Sequence, residues 1–291
     1  MKNAFRLSLI ALMLVCLAAG LAAAQTPSPT PRDSSFTQIT SSNADAFVTS
    51  ISGNGRFVVF ESTGDLATLY PGETTRTVNN ADGNREIFLY DYAQRRIFQI
   101  TNTTSARVNS ANPAITVNTT TGRPDFSNVA VEVSNNRPFI SRDGRWIVFS
   151  SNADTPFNFN GDTNKTTLQA DGNQEIFLFR IPGVAAVDLR SGADIAFQDL
   201  RVNDFTRVTD TPASRLPVAG TADTAPIVAD DNRSAQLNDR GSRIVFVSTR
   251  NRLVTGGSDF KNADFNPEIF VWNRTSPVNE PTTTGVFVQV T

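Results

Sequence analysis

The sequence contains no histidine and a single cysteine, Cys16, among its 291 residues. Without histidine there is no Ser-His-Asp triad, no imidazole general base and no His-ligated zinc or copper. Cys16 lies in a segment that we expect to be cleaved off, which also excludes disulfide bonds, thiol catalysis and cysteine metal sites. The Gly-x-Ser-x-Gly turn of α/β hydrolases is missing too. We therefore predict a protein that is not an enzyme, with no catalytic residues, no cofactor and no metal ion.

An excess of charge of one sign is also missing. The chain carries 26 Lys and Arg against 28 Asp and Glu, a formal net charge of −2 at pH 7. A charge this close to zero produces no long-range field that would gather nucleic acid or anionic lipid. We therefore expect no nucleic-acid partner. A protein or peptide partner, recognised through local shape and chemistry, is the expectation, and the sequence points to no particular binding residues.

The amino terminus has the composition of a secretory signal peptide. Lys2 and Arg6 precede a long apolar run, and three consecutive alanines end at Ala24. We expect residues 1–24 to be this signal and residues 25–35, which contain three prolines, to be an extended linker. An uncleaved membrane anchor is the alternative for the first segment. After signal removal we expect no membrane span and a periplasmic or secreted location.

The remainder of the chain is a repeat. Three segments share an apolar stretch interrupted by a glycine-containing turn: Ile51–Phe60, Ile140–Phe149 and Leu237–Phe246. Each is followed by a run that begins with glutamate: Glu86–Tyr90, Glu175–Phe179 and Glu268–Trp272. A third run closes each unit: Gln99–Thr101, Arg207–Thr209 and Gln289–Thr291. Self-similarity at this depth indicates a repeat architecture, with repeats at about residues 41–101, 102–209 and 210–291.

Each repeat is predicted to form a four-stranded sheet. The turns contain the pairs Asn54-Gly55, Asp143-Gly144 and Arg240-Gly241, and glycine there permits the positive φ of a tight hairpin. The next strand is apolar at consecutive positions, in Val58–Phe60, Ile147–Phe149 and Ile244–Phe246. This pattern predicts that both faces of the strand are buried between neighbouring sheets. The closing run mixes polar and apolar residues and is predicted to be an outer, half-exposed strand.

The pattern Ile-Ser-x-Asp-Gly-Arg-x-Ile-Val-Phe at 140–149, with Glu-Ile-Phe-Leu after it, resembles the WD40-like repeats of TolB-type β-propellers. The resemblance implies an all-β fold over residues 36–291, a β-propeller of four-stranded antiparallel blades with three recognisable repeats. It also implies a bacterial exported or periplasmic domain. Most members of the family contact other proteins, and some are fused to a peptidase. We accordingly expect a non-catalytic protein-interaction or scaffold module of the cell envelope.

The chain departs from the family pattern in its repeat number and its inserts. Closed rings contain roughly four to eight blades, and long polar inserts occupy residues 103–136 and 211–235. Residues 36–40 also copy the fourth-strand signature ahead of the first repeat, although each repeat already has a fourth strand. We expect an incomplete ring, either as a truncated fragment of a longer propeller or as a chain that self-associates to complete it.

Candidate ligand-binding residues are few. The loops Asn80–Glu86, Gln169–Glu175 and Asn262–Glu268 carry oxygen side chains of the type that calcium prefers. We favour the interpretation that these side chains bond their own backbone, with positive φ at Gly83 and Gly172. Asp230 and Asp231 are expected to be solvated loop charges, because adjacent side chains in an extended chain point to opposite faces.

Aromatic side chains leave an alternative function open. Tyr90, Tyr92 and Trp272 could stack on sugar rings, although we expect Tyr90 and Trp272 to complete the packing of their strands. The alternative is a glycan or small-ligand binding module, with or without calcium, that uses the polar insert at 103–136.

Overall fold

A computed structural model describes the chain over residues 37–69, 74, 79–103, 106–107, 116–117, 124–125, 131–153, 156, 174–181, 205–211, 232–250, 253, 262, 266–277 and 284–291. The predicted signal peptide and linker, Gly172, Asp230 and Asp231 lie outside these residues. The chain divides into two compact units, Met1–Ile39 and Thr40–Thr291, and every strand described below belongs to the second. Within the described ranges, no helix has the length and apolarity needed to cross a membrane.

Three four-stranded antiparallel sheets follow one another along the chain. Blade one consists of β1 (Ala46–Ile51), β2 (Phe57–Ser62), β3 (Glu86–Asp91) and β4 (Arg96–Gln99). The insert after it forms two short antiparallel ladders, one between β5 (Ala106–Arg107) and β8 (Val131–Glu132), the other between β6 (Thr116–Val117) and β7 (Pro124–Asp125). Blade two consists of β9 (Asn135–Ile140), β10 (Trp146–Ser151), β11 (Glu175–Arg180) and β12 (Phe205–Arg207). Blade three consists of β13 (Asn232–Leu237), β14 (Arg243–Ser248), β15 (Glu268–Arg274) and β16 (Gly285–Gln289).

The all-β architecture of four-stranded antiparallel blades is confirmed, and so are its hairpin turns. Gly55, Gly144 and Gly241 have φ angles of 75°, 70° and 62°, the left-handed conformation that the sequence predicts for each turn. Gly241 is needed for a second reason, because a Cβ atom there would lie 2.6 Å from Cδ1 of Trp146 in the preceding blade. The turn of blade three therefore packs directly on the indole of blade two.

The blades pack face to face through two apolar cores. We call the face of a blade that meets the next blade its forward face, and the opposite face its backward face. Alternation along β2 sends Phe57 and Val59 forward, where they pack against the backward residues Ile147 and Phe149 of blade two. The forward residues of blade two, including Val148, pack in the same way on the backward face of blade three. The doubly apolar second strand of blade two is thus explained by sheets on both sides.

The backward face of blade one is covered by its own connection. Phe60, Phe88, Tyr90 and Ile97 form a third buried cluster, against which the loop residue Leu66 packs. The same loop pairs with the outer strand, since the backbone N–H of Thr68 donates to the Ile97 carbonyl at 2.9 Å. Blade one therefore buries both faces of its central strands without a preceding blade.

Two expectations about exposure are wrong. The fourth strand of blade one is buried rather than half-exposed, with Phe98 and Ile100 at 2% and 0% exposure, because blade two covers its forward face. Conversely, β14 is buried on its backward face only, since Val245 on the forward face is 38% exposed. The expected half-exposed outer strand is found in blade three, where no described sheet packs on the forward face of β16.

The strand predicted over residues 36–40 is also not formed. Phe36 lies outside the described residues, and residues 37–40 adopt no strand conformation. The fourth-strand signature forms a strand where it can pair with a third strand. In this structure β3, β11 and β15 are already paired with β4, β12 and β16, so none of the described third strands is free to pair with residues 37–40.

Candidate functional site

A buried carboxylate joins blade one to blade two. Oε1 of Glu86, at the start of β3, accepts hydrogen bonds from the backbone N–H of Thr103 at 2.6 Å and from the Thr103 hydroxyl at 2.7 Å. Its Oε2 accepts from Nδ2 of Asn135, the first residue of β9, at 2.9 Å. The backbone N–H of Asn135 donates in turn to the Arg85 carbonyl at 3.0 Å. We call this arrangement a latch, because one asparagine of the following blade completes it.

Blade two and blade three are joined by an equivalent latch. Glu175 accepts from the Thr211 backbone N–H at 2.6 Å, from the Thr211 hydroxyl at 2.7 Å and from the Thr209 hydroxyl at 2.5 Å. The amide of Asn232, the first residue of β13, donates to Glu175 Oε2 at 3.0 Å. Its backbone N–H donates to the Gln174 carbonyl at 2.9 Å. The two interfaces therefore share one polar device as well as one apolar pattern.

Burial sets the protonation of the latch carboxyls. Removal from water raises the pKa of Glu86 from 4.5 to about 7, and the hydrogen bonds from the threonines and from Asn84 oppose this rise only in part. The pKa of Glu175 is raised by the same cause, with hydrogen bonds from Thr209 and Thr211 and the charge of Arg207 acting in the opposite direction. These carboxyls hold blades together, and neither faces a ligand cavity that the structure describes.

Blade three carries the first half of a latch. The hydroxyl of Thr291 donates to Glu268 Oε2 and accepts from the backbone N–H of Ile269 at 2.9 Å, as Thr209 does with Ile176 in blade two. No described residue supplies the asparagine amide to Glu268. At the position of Asn135 and Asn232, β1 has Ala46, which is exposed and offers no side-chain donor.

The forward face of blade three is apolar and exposed. Val245 is 38% exposed, whereas Val59 and Val148 at the same place in blades one and two are fully buried. The face continues across the sheet through residues that are 41% to 60% exposed: Ile269, Val286, Val288 and Val290. The corresponding Ile100 of blade one is 0% exposed. This surface, Val245 with those four residues, is the open forward face.

A polar pocket of about 300 Å³ lies between the second strand of blade one, the first two strands of blade two and the first strand of blade three. Its walls are formed by seven polar or charged residues: Glu61, Arg85, Asn136, Arg137, Ser150, Gln174 and Arg233. Glu61 forms a salt bridge with Arg85 at 2.8 Å and accepts the backbone N–H of Arg137 at 2.5 Å. With three arginines and one glutamate, the pocket walls carry a net positive charge.

A bulge repeated in the first strands shapes this pocket. The pairing of β9 with β10 shifts register next to Arg137, and that of β13 with β14 shifts next to Ser234. Both residues adopt positive φ, 52° and 58°, which is uncommon outside glycine. The guanidinium of Arg137 then reaches across to the next blade and donates to the Ser234 hydroxyl at 2.6 Å.

The loops considered as calcium sites are shaped by their asparagines. Nδ2 of Asn80 donates to the Asn84 carbonyl at 2.8 Å, and Nδ2 of Asn262 donates to the Asn266 carbonyl at 2.6 Å. Gly83 has a φ of 73°, as the turn-shaping interpretation predicts. Across the described residues no group of three or more carboxylates or cysteines is placed to hold a metal ion.

The three aromatic residues considered for sugar binding differ in burial. Tyr90 and Trp272 are 8% and 3% exposed and pack in apolar clusters, so both complete the packing of their strands. Tyr92 is 57% exposed. Sequence reasoning missed the threonines and asparagines of the latches, although the repeated Thr-x-Thr at 101–103 and 209–211 was a signal for them. It also missed the arginine pocket, whose residues do not repeat from blade to blade.

Among known proteins, this chain is similar only to solved structures. No protein-family model and no curated protein matches the chain. A putative TolB from Agrobacterium tumefaciens is 11% identical with a TM-score of 0.32, over 85% of this chain and 59% of that one. TolB from Acinetobacter baumannii is 12% identical with a TM-score of 0.33, over 87% and 45%. The tricorn protease is 15% identical with a TM-score of 0.33, over 81% and 17%.

At TM-scores of 0.32 and 0.33 these likenesses indicate neither the function nor the partners of this chain. This chain spans 17% to 59% of the length of the three structures. The evidence for the fold is the chain's own three stacked sheets. The expectation of a protein that is not an enzyme stays a prediction.

Proposed function

We propose that this protein is an exported, non-catalytic propeller-type module that binds another protein through the open forward face of blade three. The observation that carries the proposal is the contrast between equivalent valines, since Val59 and Val148 are covered by a following blade while Val245 is 38% exposed. An apolar surface of this kind is typical of a protein contact. The export part of the proposal rests on the predicted signal peptide at residues 1–24.

The gain from covering this face is large enough to support binding. Full burial of a valine or isoleucine side chain contributes roughly 1.5–3 kcal/mol, and five such side chains on this face are 38% to 60% exposed. The outermost strand of the sheet, β16, additionally offers a backbone edge to a partner strand. The surface therefore supplies both an apolar area and hydrogen-bonding groups.

The two internal interfaces indicate the shape of the partner. Blades one and two cover their forward faces with a β-sheet whose first strand begins with asparagine, at Asn135 and Asn232. The partner is accordingly a protein that presents a blade-like sheet with an amide donor for Glu268. A second copy of this chain fits less well, because its first strand begins with Ala46 and leaves Glu268 without that donor.

Site-specific photo-crosslinking in cells that export the protein tests the proposal. A photoreactive phenylalanine analogue at Val288 should yield a discrete adduct with another protein, and adding Val245→Lys and Ile269→Lys should abolish it. The analogue at Tyr92, which is exposed away from this face, is the matched control. No adduct at Val288, equal adducts at both positions, or an adduct between two copies of this chain would overturn the proposal.

The alternative of glycan binding through the insert stays a prediction. The described residues between 104 and 130 are confined to β5, β6 and β7, and they place no aromatic side chain in the insert. A screen of hydrolase and lyase substrates tests the non-catalytic part of the proposal, which requires that none is turned over.

A further inference from the structure

We propose that the polar pocket between the three blades binds a small oxyanion, a phosphate or carboxylate group, through Arg137 and Arg233. This inference does not depend on a partner at the open forward face. It rests on the charge of the pocket walls, on a polar side chain that the fold leaves without a bond, and on the geometry of arginine as an anion ligand.

The pocket charge is not compensated from within. Glu61 is the one carboxylate among the seven wall residues, and its side chain is already engaged by Arg85 at 2.8 Å. Arg137 donates to a neutral hydroxyl, that of Ser234. The Arg233 side chain is exposed and meets no acid in the part of the chain that the structure describes. Two positive charges therefore remain at a cavity of about 300 Å³ in a protein whose net charge is −2.

A buried hydroxyl in the same wall lacks a partner. Ser150 is 1% exposed, and its Oγ has no hydrogen-bond partner among the described residues, although it lines the pocket. Buried polar groups in native structures are paired in the great majority of cases, so an unpaired one that lines a cavity indicates a bond to a bound molecule. A hydroxyl donates readily to an oxyanion.

The arginines select the ligand class. A guanidinium presents parallel N–H donors that match two oxygens of a carboxylate or phosphate, and these charge-assisted bonds are stronger than neutral ones. The side-chain amides of Asn136 and Gln174, which also line the wall, each have an N–H₂ donor and a carbonyl acceptor. A volume of about 300 Å³ has room for an inorganic phosphate or a small dicarboxylate.

Isothermal titration of the full chain with sodium phosphate and with succinate, at low ionic strength, tests the inference. We expect saturable binding of at least one of them, and the stronger of the two identifies the phosphate or the carboxylate source. Arg233→Gln should weaken binding by roughly tenfold, because it removes one charged donor and breaks no bond to a described residue. Arg240→Gln, in the exposed turn between β13 and β14 and outside the pocket wall, is the charge-matched control and should leave binding unchanged.

Ser150→Ala separates binding from folding. Because the Ser150 hydroxyl bonds to no described residue, the variant should keep the thermal stability of the free protein and weaken anion binding by roughly threefold or more. Absence of binding by both anions at millimolar concentration would overturn the inference. Equal weakening by R233Q and R240Q, which would indicate general charge attraction, would overturn it too, as would full affinity in Ser150→Ala.

Discussion

Replacing Asn135 with alanine should loosen blade one from blade two by a calculable amount. The Nδ2 group of Asn135 lies 2.9 Å from Glu86 Oε2, 3.0 Å from Thr103 Oγ1 and 3.1 Å from the Arg85 carbonyl oxygen. A hydrogen bond to a charged group contributes about 1.5–3 kcal/mol and a bond to a neutral acceptor about 1 kcal/mol, and Glu86, whose pKa is raised to about 7, is partly ionised at pH 7. Since two amide hydrogens serve these three acceptors, the free energy of unfolding should fall by about 2–4 kcal/mol.

Urea unfolding of the full chain at pH 7 measures this loss. The midpoint should decrease while the slope of the transition with urea stays unchanged, because the area exposed on unfolding is the same. Asn232→Ala, which removes the amide of the second latch, should cost a similar amount. Ala46→Asn is the control, since its side chain is exposed in β1 and the change should stay within about 0.5 kcal/mol. A loss below about 0.5 kcal/mol for Asn135→Ala would refute the latch.

Three further predictions concern pH, the open face and a buried ion pair. Because burial raises the pKa of Glu86 from 4.5 to about 7, the native state binds the Glu86 proton more tightly than the unfolded state does. The free energy of unfolding, measured in urea titrations, should therefore fall by about 3 kcal/mol as pH rises from 4.5 through 7. The Glu86→Gln variant should lack this part of the pH dependence. Val148→Lys should unfold the protein or lower its free energy of unfolding by more than about 4 kcal/mol, whereas Val245→Lys should change that free energy by no more than about 0.5 kcal/mol in the same assay. Equal losses in the two variants would contradict the open forward face. Arg56→Met should lower the free energy of unfolding by about 3–5 kcal/mol in thermal or urea unfolding, because it leaves the fully buried carboxylate of Asp91 without its ion pair. The Arg56 guanidinium now donates to the two Asp91 oxygens at 2.7 and 2.9 Å. A smaller loss would mean that water reaches this carboxylate.

The fold was predictable because its determinants are local in the sequence. The turn at Gly55 is followed closely by the apolar run of the second strand, so the turn and the strand could be predicted from one short segment. The apolar third strands also recur in all three repeats. The structure places Val59, Val148 and Val245 opposite Leu89, Leu178 and Val271, the same register in all three blades. Repetition of a local pattern thus specified repetition of a sheet.

Exposure and the latches were not predictable, because both depend on residues distant in the chain. Val245 has the same local sequence context as Val148, and only the presence of a neighbouring sheet distinguishes their burial. Asn135 lies 49 positions from Glu86, and Asn232 lies 57 positions from Glu175. Their equivalence becomes visible only when the first strands are aligned in space. The arginine pocket combines residues from all three blades, and equivalent positions such as Asn136 and Arg233 carry different side chains, so no single repeat contains its pattern.

The latches also give the molecule a direction. Each carboxylate is completed by the blade that follows it, so blade two secures blade one and blade three secures blade two, whereas Glu268 is completed by no described residue. Loss of blade three would leave Glu175 short of the Asn232 amide and expose Val148, while loss of blade one would leave the second latch intact. Disassembly should therefore start at β16 and travel backward through the chain, so amide hydrogens should exchange with deuterium first in blade three and last in blade one.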